Sequence, residues 1–303
     1  MQTICSPAPT RPCMPSSSSA ENAMPELRCK DTVRYGLFAT LGALVLGACT
    51  AMPGPRLDNQ ALHQSYFDIG VYAGVDVTRG GPHCRIFHPI NMNYGRHPVI
   101  VWGNGTGTSP ASYRDLLEHW ASHGFVVVAA MSPNPGSGRE MARCLDHALN
   151  LNSEPGPFQG RLDPARIATA GHSQGGAGAI MLGRDLRIST VIALQPYIQG
   201  VRFNPTAVRG QHGPMLLLSG ADDVTAPPAT HQQPIYDNTD VPVTWLTLRG
   251  ATHFAPMQTG GSYRGVMTAW LRMQLRDDEE AARMFDGDNC ALCEDERWTI
   301  KAN

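Results

Sequence analysis

Ser173 lies within Gly171-His172-Ser173-Gln174-Gly175, which has the spacing G-x-S-x-G. A serine hydroxyl becomes a useful nucleophile only when a neighbouring base takes its proton. Glycines two residues before and two after suit a turn too crowded for side chains. A helix that starts at the serine would aim its free N–H groups at it. A chain with 31 Gly also produces such a pentapeptide by chance. The reading therefore depends on a base, an acid and two oxyanion donors following in the right places.

Of the 11 His, only His231 and His253 fall in loops after the later strands. His253 sits in "RGATHFAP", a short loop of small residues that can expose the ring at the sheet edge. His231 sits in "PPATHQQPIYD", which reads as a polar surface loop. His253 is the predicted base. The acid belongs after the strand before it, where "LLLSGADDVTAP" offers Asp222 and Asp223. Its work is to hold the imidazole tautomer and stabilise the imidazolium. Asp223 is preferred and Asp222 is the runner-up, since pattern barely separates them. One oxyanion donor is the backbone N–H of Gln174, directly after the serine. The other belongs to the loop "VWGNGTGTSP", from Gly105 or Thr106, where glycines let the main chain approach a substrate closely. That loop lacks the Lys-Ser/Thr ending and the G-x-G-x-x-G spacing of a phosphate-binding turn. His119 and His123 are spaced to ligate a metal, but Trp120 stands where the zinc-protease motif needs Glu. They are read as surface or helix-packing residues. No metal and no organic cofactor is expected.

These residues need elements to hold them. Buried strands are predicted at 96–105, leading into a glycine turn, and at 125–131, 165–171, 190–196, 214–220 and 241–250. Helical stretches lie at 109–124, with Ser109 as N-cap and Gly124 as stop, and at 137–152, 176–185 and 261–285. Apolar strands alternating with helices predict an α/β fold, a doubly wound, mostly parallel sheet flanked by helices. Ligands of such sheets bind at the carboxyl ends of the strands. Each candidate triad and oxyanion residue follows a strand end.

The 303 residues, 42% hydrophobic and 17% charged, suffice for one large domain, assigned to 65–303. A net charge of -2 gives no basic surface for nucleic acid. Residues 1–23 are Pro- and Ser-rich and read as disordered, with Met24 as a candidate true start. Arg28, Lys30 and Arg34 then precede the apolar run "LFATLGALVL" and "LGAC", which ends at Cys49. That run is too short to span a membrane and fits an export signal. "LGAC" resembles the bacterial lipobox, which implies a lipid on Cys49 and cleavage before it. The expected layout is leader 1–48, tether 49–64, then the domain. The protein is expected in the cell envelope as an outer-membrane lipoprotein, or otherwise periplasmic or secreted. A monomer is expected, touching membrane only through that lipid.

Beyond Cys49 four thiols remain, Cys84, Cys144, Cys290 and Cys293. An even number in an exported chain predicts two disulfides. Cys84–Cys144 with Cys290–Cys293 is the favoured pairing, although sequence does not decide it. Cys290-Ala-Leu-Cys293 is also half of a zinc pattern, but no second Cys-x-x-Cys exists.

Several blocks across residues 65–290 resemble the bacterial cutinase-like polyester hydrolases, a group that includes poly(ethylene terephthalate) hydrolases of the α/β-hydrolase fold. "PVIVWGNGTGT" with "WASHGFVVVAA" is similar to that family's oxyanion region, "GHSQGGAGA" to its elbow, "ADDVTAP" to its acid loop and "GATHFAP" to its histidine loop. "AWLRMQLRDDEEAARMF" is similar to its C-terminal helix, followed by a C-terminal disulfide. In the family the aspartate four before the proline is the acid, which selects Asp223. The resemblance also marks departures. Gly105 replaces an aromatic, Gln174 a methionine, and Tyr197 a tryptophan of the acyl site, so half of an aromatic clamp is missing. Thr106 and Tyr197 are the candidates left to line that site.

The expected function is an exported serine carboxylic-ester hydrolase, working on a small or polymeric ester through Ser173, His253 and Asp223 and an acyl-enzyme. The alternatives are a peptidase, thioesterase or acyltransferase with the same triad, or a catalytically silent surface-binding lipoprotein.

Overall fold

The computed structural model describes residues 57–72, 74–200, 203–287 and 290–303. Nine strands form one sheet: β1 (Val75–Gly80), β2 (Cys84–Pro89), β3 (His97–Gly103), β4 (Val126–Ala130), β5 (Leu162–His172), β6 (Thr190–Leu194), β7 (Met215–Gly220), β8 (Val243–Leu248) and β9 (Trp298–Ala302). Their order is β1-β2-β4-β3-β5-β6-β7-β8-β9. From β4 to β8 every neighbouring pair is parallel. β1, β2 and β9 join antiparallel at the two ends.

The helices are α1 (Asn59–Phe67), α2 (Arg114–Ser122), α3 (Arg139–Ser153), α4 (Gln174–Leu182), α5 (Pro228–His231), α6 (Gln233–Asn238), α7 (Tyr263–Arg276) and α8 (Glu279–Ala282). Alternate strand side chains point to opposite faces. Ile100, Trp102, Leu216 and Leu218 therefore share one core with α1, α2 and α7. Val99, Val101, Met215 and Leu217 share the other with α3 and α4. With both faces covered, β3, β4, β6 and β7 are buried at every position, which is why they read as continuous apolar runs.

Four expectations change. The tether assigned to 49–64 ends earlier, because α1 starts at Asn59 under an Asp58 cap and fully buries Leu62. Cys49 and the rest of the leader lie outside the described residues. The single helix expected at 261–285 is broken at Asp277, whose φ of 53° ends α7; Asp278 then caps α8 by accepting from the N–H of Ala281. Ser109 is extended but makes no capping hydrogen bond, and Pro110–Tyr113 forms a tight 3₁₀ turn before α2. His231, expected in a surface loop, ends α5 and is 2% exposed. The apolar spacing of Pro228, Ile235 and Tyr236 turns that polar-looking segment inward, with Ile235 in the core.

Cys84 is bonded to Cys144 and Cys290 to Cys293, so neither pair is free to hold zinc. No helix among the described residues is long and apolar enough to cross a membrane.

Candidate active site

β5 ends at His172 and α4 starts at Gln174, which leaves Ser173 alone on the turn between them. Its φ of 56° and ψ of −122° are unusual for a residue with a side chain. Such strain persists only where the surroundings impose it, and it thrusts the hydroxyl out of the turn. Gly175 is required on the α4 side: a Cβ there would lie 2.1 Å from the carbonyl oxygen of Gly103.

The loops after β7 and β8 bring two side chains to this serine. His253 Nε2 is 2.8 Å from Ser173 Oγ, and His253 Nδ1 is 2.7 Å from Asp223 Oδ2. The other carboxylate oxygen, Oδ1, accepts from the N–H groups of Thr225 at 2.9 Å and Ala226 at 2.7 Å. Burial opposes ionisation of Asp223. The hydrogen bonds from His253 and the two amides outweigh it and hold the carboxyl below its ordinary value. An ionised Asp223 only accepts, so Nδ1 of His253 carries a proton, and in the neutral ring Nε2 is left to accept from the serine. Such an arrangement can take the serine proton and return it to a leaving group. Asp222, by contrast, is exposed.

Of the three oxyanion candidates, the amides of Gln174 and Thr106 donate no hydrogen bond among the described residues, while the N–H of Gly105 donates to Tyr113 Oη at 3.2 Å. Ser173 opens onto a cleft of about 510 Å³. Its lining includes Thr106, Gln174, Tyr197, Phe254 and Met257. Tyr197 is half-buried, and its ring lies 4.7 Å from that of His231 at 30°. His231 Nδ1 accepts from the N–H of Ile198 at 3.1 Å, and burial lowers its pKa, so a neutral ring backs Tyr197. Gln174 is 8% exposed, and its side-chain oxygen has no partner.

Sequence reasoning missed His231, Phe254, Met257 and Tyr113 as parts of this region. Phe254 is 66% exposed beside His253, a signal that "GATHFAP" carried in plain view. In sequence Tyr113 falls within the helical stretch 109–124 and carries no separate signal. His119 and His123 lie away from this cleft, buried under α1. Among the described residues no three His, Cys, Asp or Glu side chains converge as a metal site.

A family model described as PET hydrolase-like matches residues 53–297. Cutinase 2 of Thermobifida cellulosilytica is 31% identical over 214 residues, covering 68% of this chain and 77% of that protein. Cutinase cut1 of Thermobifida fusca is 31% identical over the same length, covering 63% of its own chain. The bis(hydroxyethyl) terephthalate hydrolase of Streptomyces coelicolor is 25% identical over 261 residues, covering 79% of this chain and 81% of that one.

Proposed function

The chain belongs to the PET hydrolase-like family and is a carboxylic-ester hydrolase, and on that premise we propose that it is an exported serine enzyme that cuts polyesters and short-acyl esters. Ser173 Oγ attacks the ester carbonyl while His253 Nε2 takes its proton. His253 then protonates the departing alcohol, and Asp223 keeps the ring in the tautomer this requires. The amides of Gln174 and Thr106, which donate to nothing else among the described residues, hold the oxyanion; losing one such donor typically costs about 3 kcal/mol in the transition state. Water enters by the same route, and the acyl-enzyme is hydrolysed. The observation that carries this reading is the hydrogen-bonded line from Asp223 through His253 to Ser173, at 2.7 and 2.8 Å, at the floor of an open cleft.

The substrate preference follows from the cleft walls. Tyr197 and Phe254 offer aromatic surface, while on the side of Gly105, Thr106 and Gln174 the Tyr113 ring is fully buried. We infer a preference for aliphatic over aromatic polyesters. Export is supported by the leader pattern before Cys49 and by two disulfides, which persist in oxidising compartments.

The test is hydrolysis of p-nitrophenyl butyrate and of polycaprolactone and poly(ethylene terephthalate) films by wild type and Ser173→Ala. Wild type should hydrolyse the butyrate ester and erode polycaprolactone faster, and the variant should do neither. Substantial activity remaining in Ser173→Ala would sink the assignment. Labelling with radioactive palmitate, lost in Cys49→Ala, would test the lipid anchor.

A further inference from the structure

We propose that Tyr113 and His172 form a positioning relay that locks the oxyanion loop to the backbone of the catalytic histidine. The inference rests on the triad reading above and goes beyond it. Tyr113 Oη lies 2.8 Å from His172 Nδ1, and His172 Nε2 lies 2.9 Å from the carbonyl oxygen of His253. With the Gly105 amide at 3.2 Å from Tyr113 Oη, four groups form an unbroken chain.

Its direction is determined from one end. The His253 carbonyl can only accept, so His172 Nε2 carries a proton. His172 is 2% exposed, and burial together with the neighbouring His253 pushes its pKa down to about 3, so the ring is neutral. Its Nδ1 is then a pure acceptor and takes the hydroxyl proton of Tyr113. The hydroxyl oxygen is left to accept the N–H of Gly105. No other assignment satisfies all four groups.

The rest of the oxyanion loop is anchored elsewhere. Asn104 Nδ2 donates to the carbonyl of Ala130 at 2.6 Å, the Gly107 amide donates to that of Pro133 at 2.9 Å, and Thr108 Oγ1 donates to that of Gly105 at 2.8 Å. The Tyr113–His172 link runs from this loop to the residue carrying the base, beside a backbone bond from the N–H of Gln258 to the carbonyl of Ser112 at 2.7 Å. It also accounts for glycine at position 105. A Cβ there would lie 2.8 Å from Tyr113 Oη and 3.3 Å from His172 Nδ1. The hydroxyl occupies the space that an aromatic at 105 would need, so this chain trades a clamp residue for the relay. Tyr113 is fully buried with its ring 5.0 Å from that of Trp102, so Tyr113→Phe keeps the packing and removes only the hydroxyl.

The experiment compares wild type, Tyr113→Phe, His172→Phe and the double variant on p-nitrophenyl butyrate. Butaneboronic acid, which forms a tetrahedral adduct with the serine, serves as the second probe. Misplacing an oxyanion loop should lower kcat by roughly 10- to 100-fold. KM should stay within about twofold, and boronate affinity should fall by the same factor as kcat/KM. The double variant should be no worse than the worse single one, because both break one chain. A kcat within about twofold of wild type, an unchanged boronate affinity, or losses that multiply in the double variant would overturn the relay. Should Tyr113→Phe not fold, His172→Phe reads the same link from its other end. Ser173→Ala separates the two readings: if it retains activity the triad assignment fails, whereas Ser173-dependent activity that Tyr113→Phe leaves intact defeats the relay alone.

Discussion

Two pairs of histidine rings lie in contact inside this protein, His172 with His253 at 4.8 Å and His119 with His123 at 4.7 Å. All four rings are buried. His119 Nε2 faces the carbonyl of Tyr66 and the hydroxyl of Thr268, each at 3.1 Å, and His123 Nε2 faces the carbonyl of Asp68 at 3.0 Å. Burial pushes their pKa values down to about 3 and about 4, with the His123 charge adding to the effect on His119. They are neutral pins that tie α2 to α1 and α7. His172 belongs with them, although it lines the candidate active site. His253 alone meets a carboxylate on one nitrogen and a hydroxyl on the other. Burial and proximity thus make a structural histidine, and a hydrogen-bonded carboxylate is what equips one for proton transfer.

The sharpest way to break this contrast is to remove one ring from each pair. His253→Ala should lower kcat on p-nitrophenyl butyrate by roughly 10⁵- to 10⁶-fold with little change in Tm. Comparable activity losses from both pairs would erase the distinction. Asp223→Asn should cost about 10⁴-fold in kcat, because the amide favours the wrong tautomer of His253. His119→Ala should leave kcat within about twofold but cost on the order of 2 kcal/mol in urea unfolding, since it empties a buried, hydrogen-bonded site.

A gentler test uses pH. The folded-state pKa values of His119 and His123 lie below the ordinary 6.5, so the unfolded chain binds more protons between about 4 and 6.5. Their contribution is fully present above 6.5 and is lost as pH falls through that window. Tm measured from pH 8 to pH 4 should therefore decline below 6.5, and less steeply in His119→Gln. The smallest effect belongs to Asp222→Asn, where activity should stay within about twofold, because that carboxylate faces solvent.

The middle of the sheet was legible from sequence for a physical reason. β3, β4, β6 and β7 are covered on both faces, so every position is buried, nearly all are apolar and the runs stand out. β1 and β9 sit at the ends with most positions partly or fully exposed, so "VDVTRG" and "WTIKA" carry no comparable run. The break at Asp277 was hidden because one left-handed residue interrupts an apolar stripe without changing its spacing. His231 was hidden because the ring it meets, that of Tyr197 at 4.7 Å, lies 34 positions away in the chain.

Sequence by itself determined which residues could do chemistry, their order along the chain and the kind of sheet that would present them, since strand periodicity and glycine-flanked turns are local properties. Tertiary structure alone decided what each group does with its protons. Ser173 meets His253 across 80 positions, and Tyr113 meets His172 across 59. Tautomer, ionisation and hydrogen-bond direction are set by whatever lies within about 3 Å. Folding, not local pattern, brings those neighbours together, and so two histidines in contact in one site do different work.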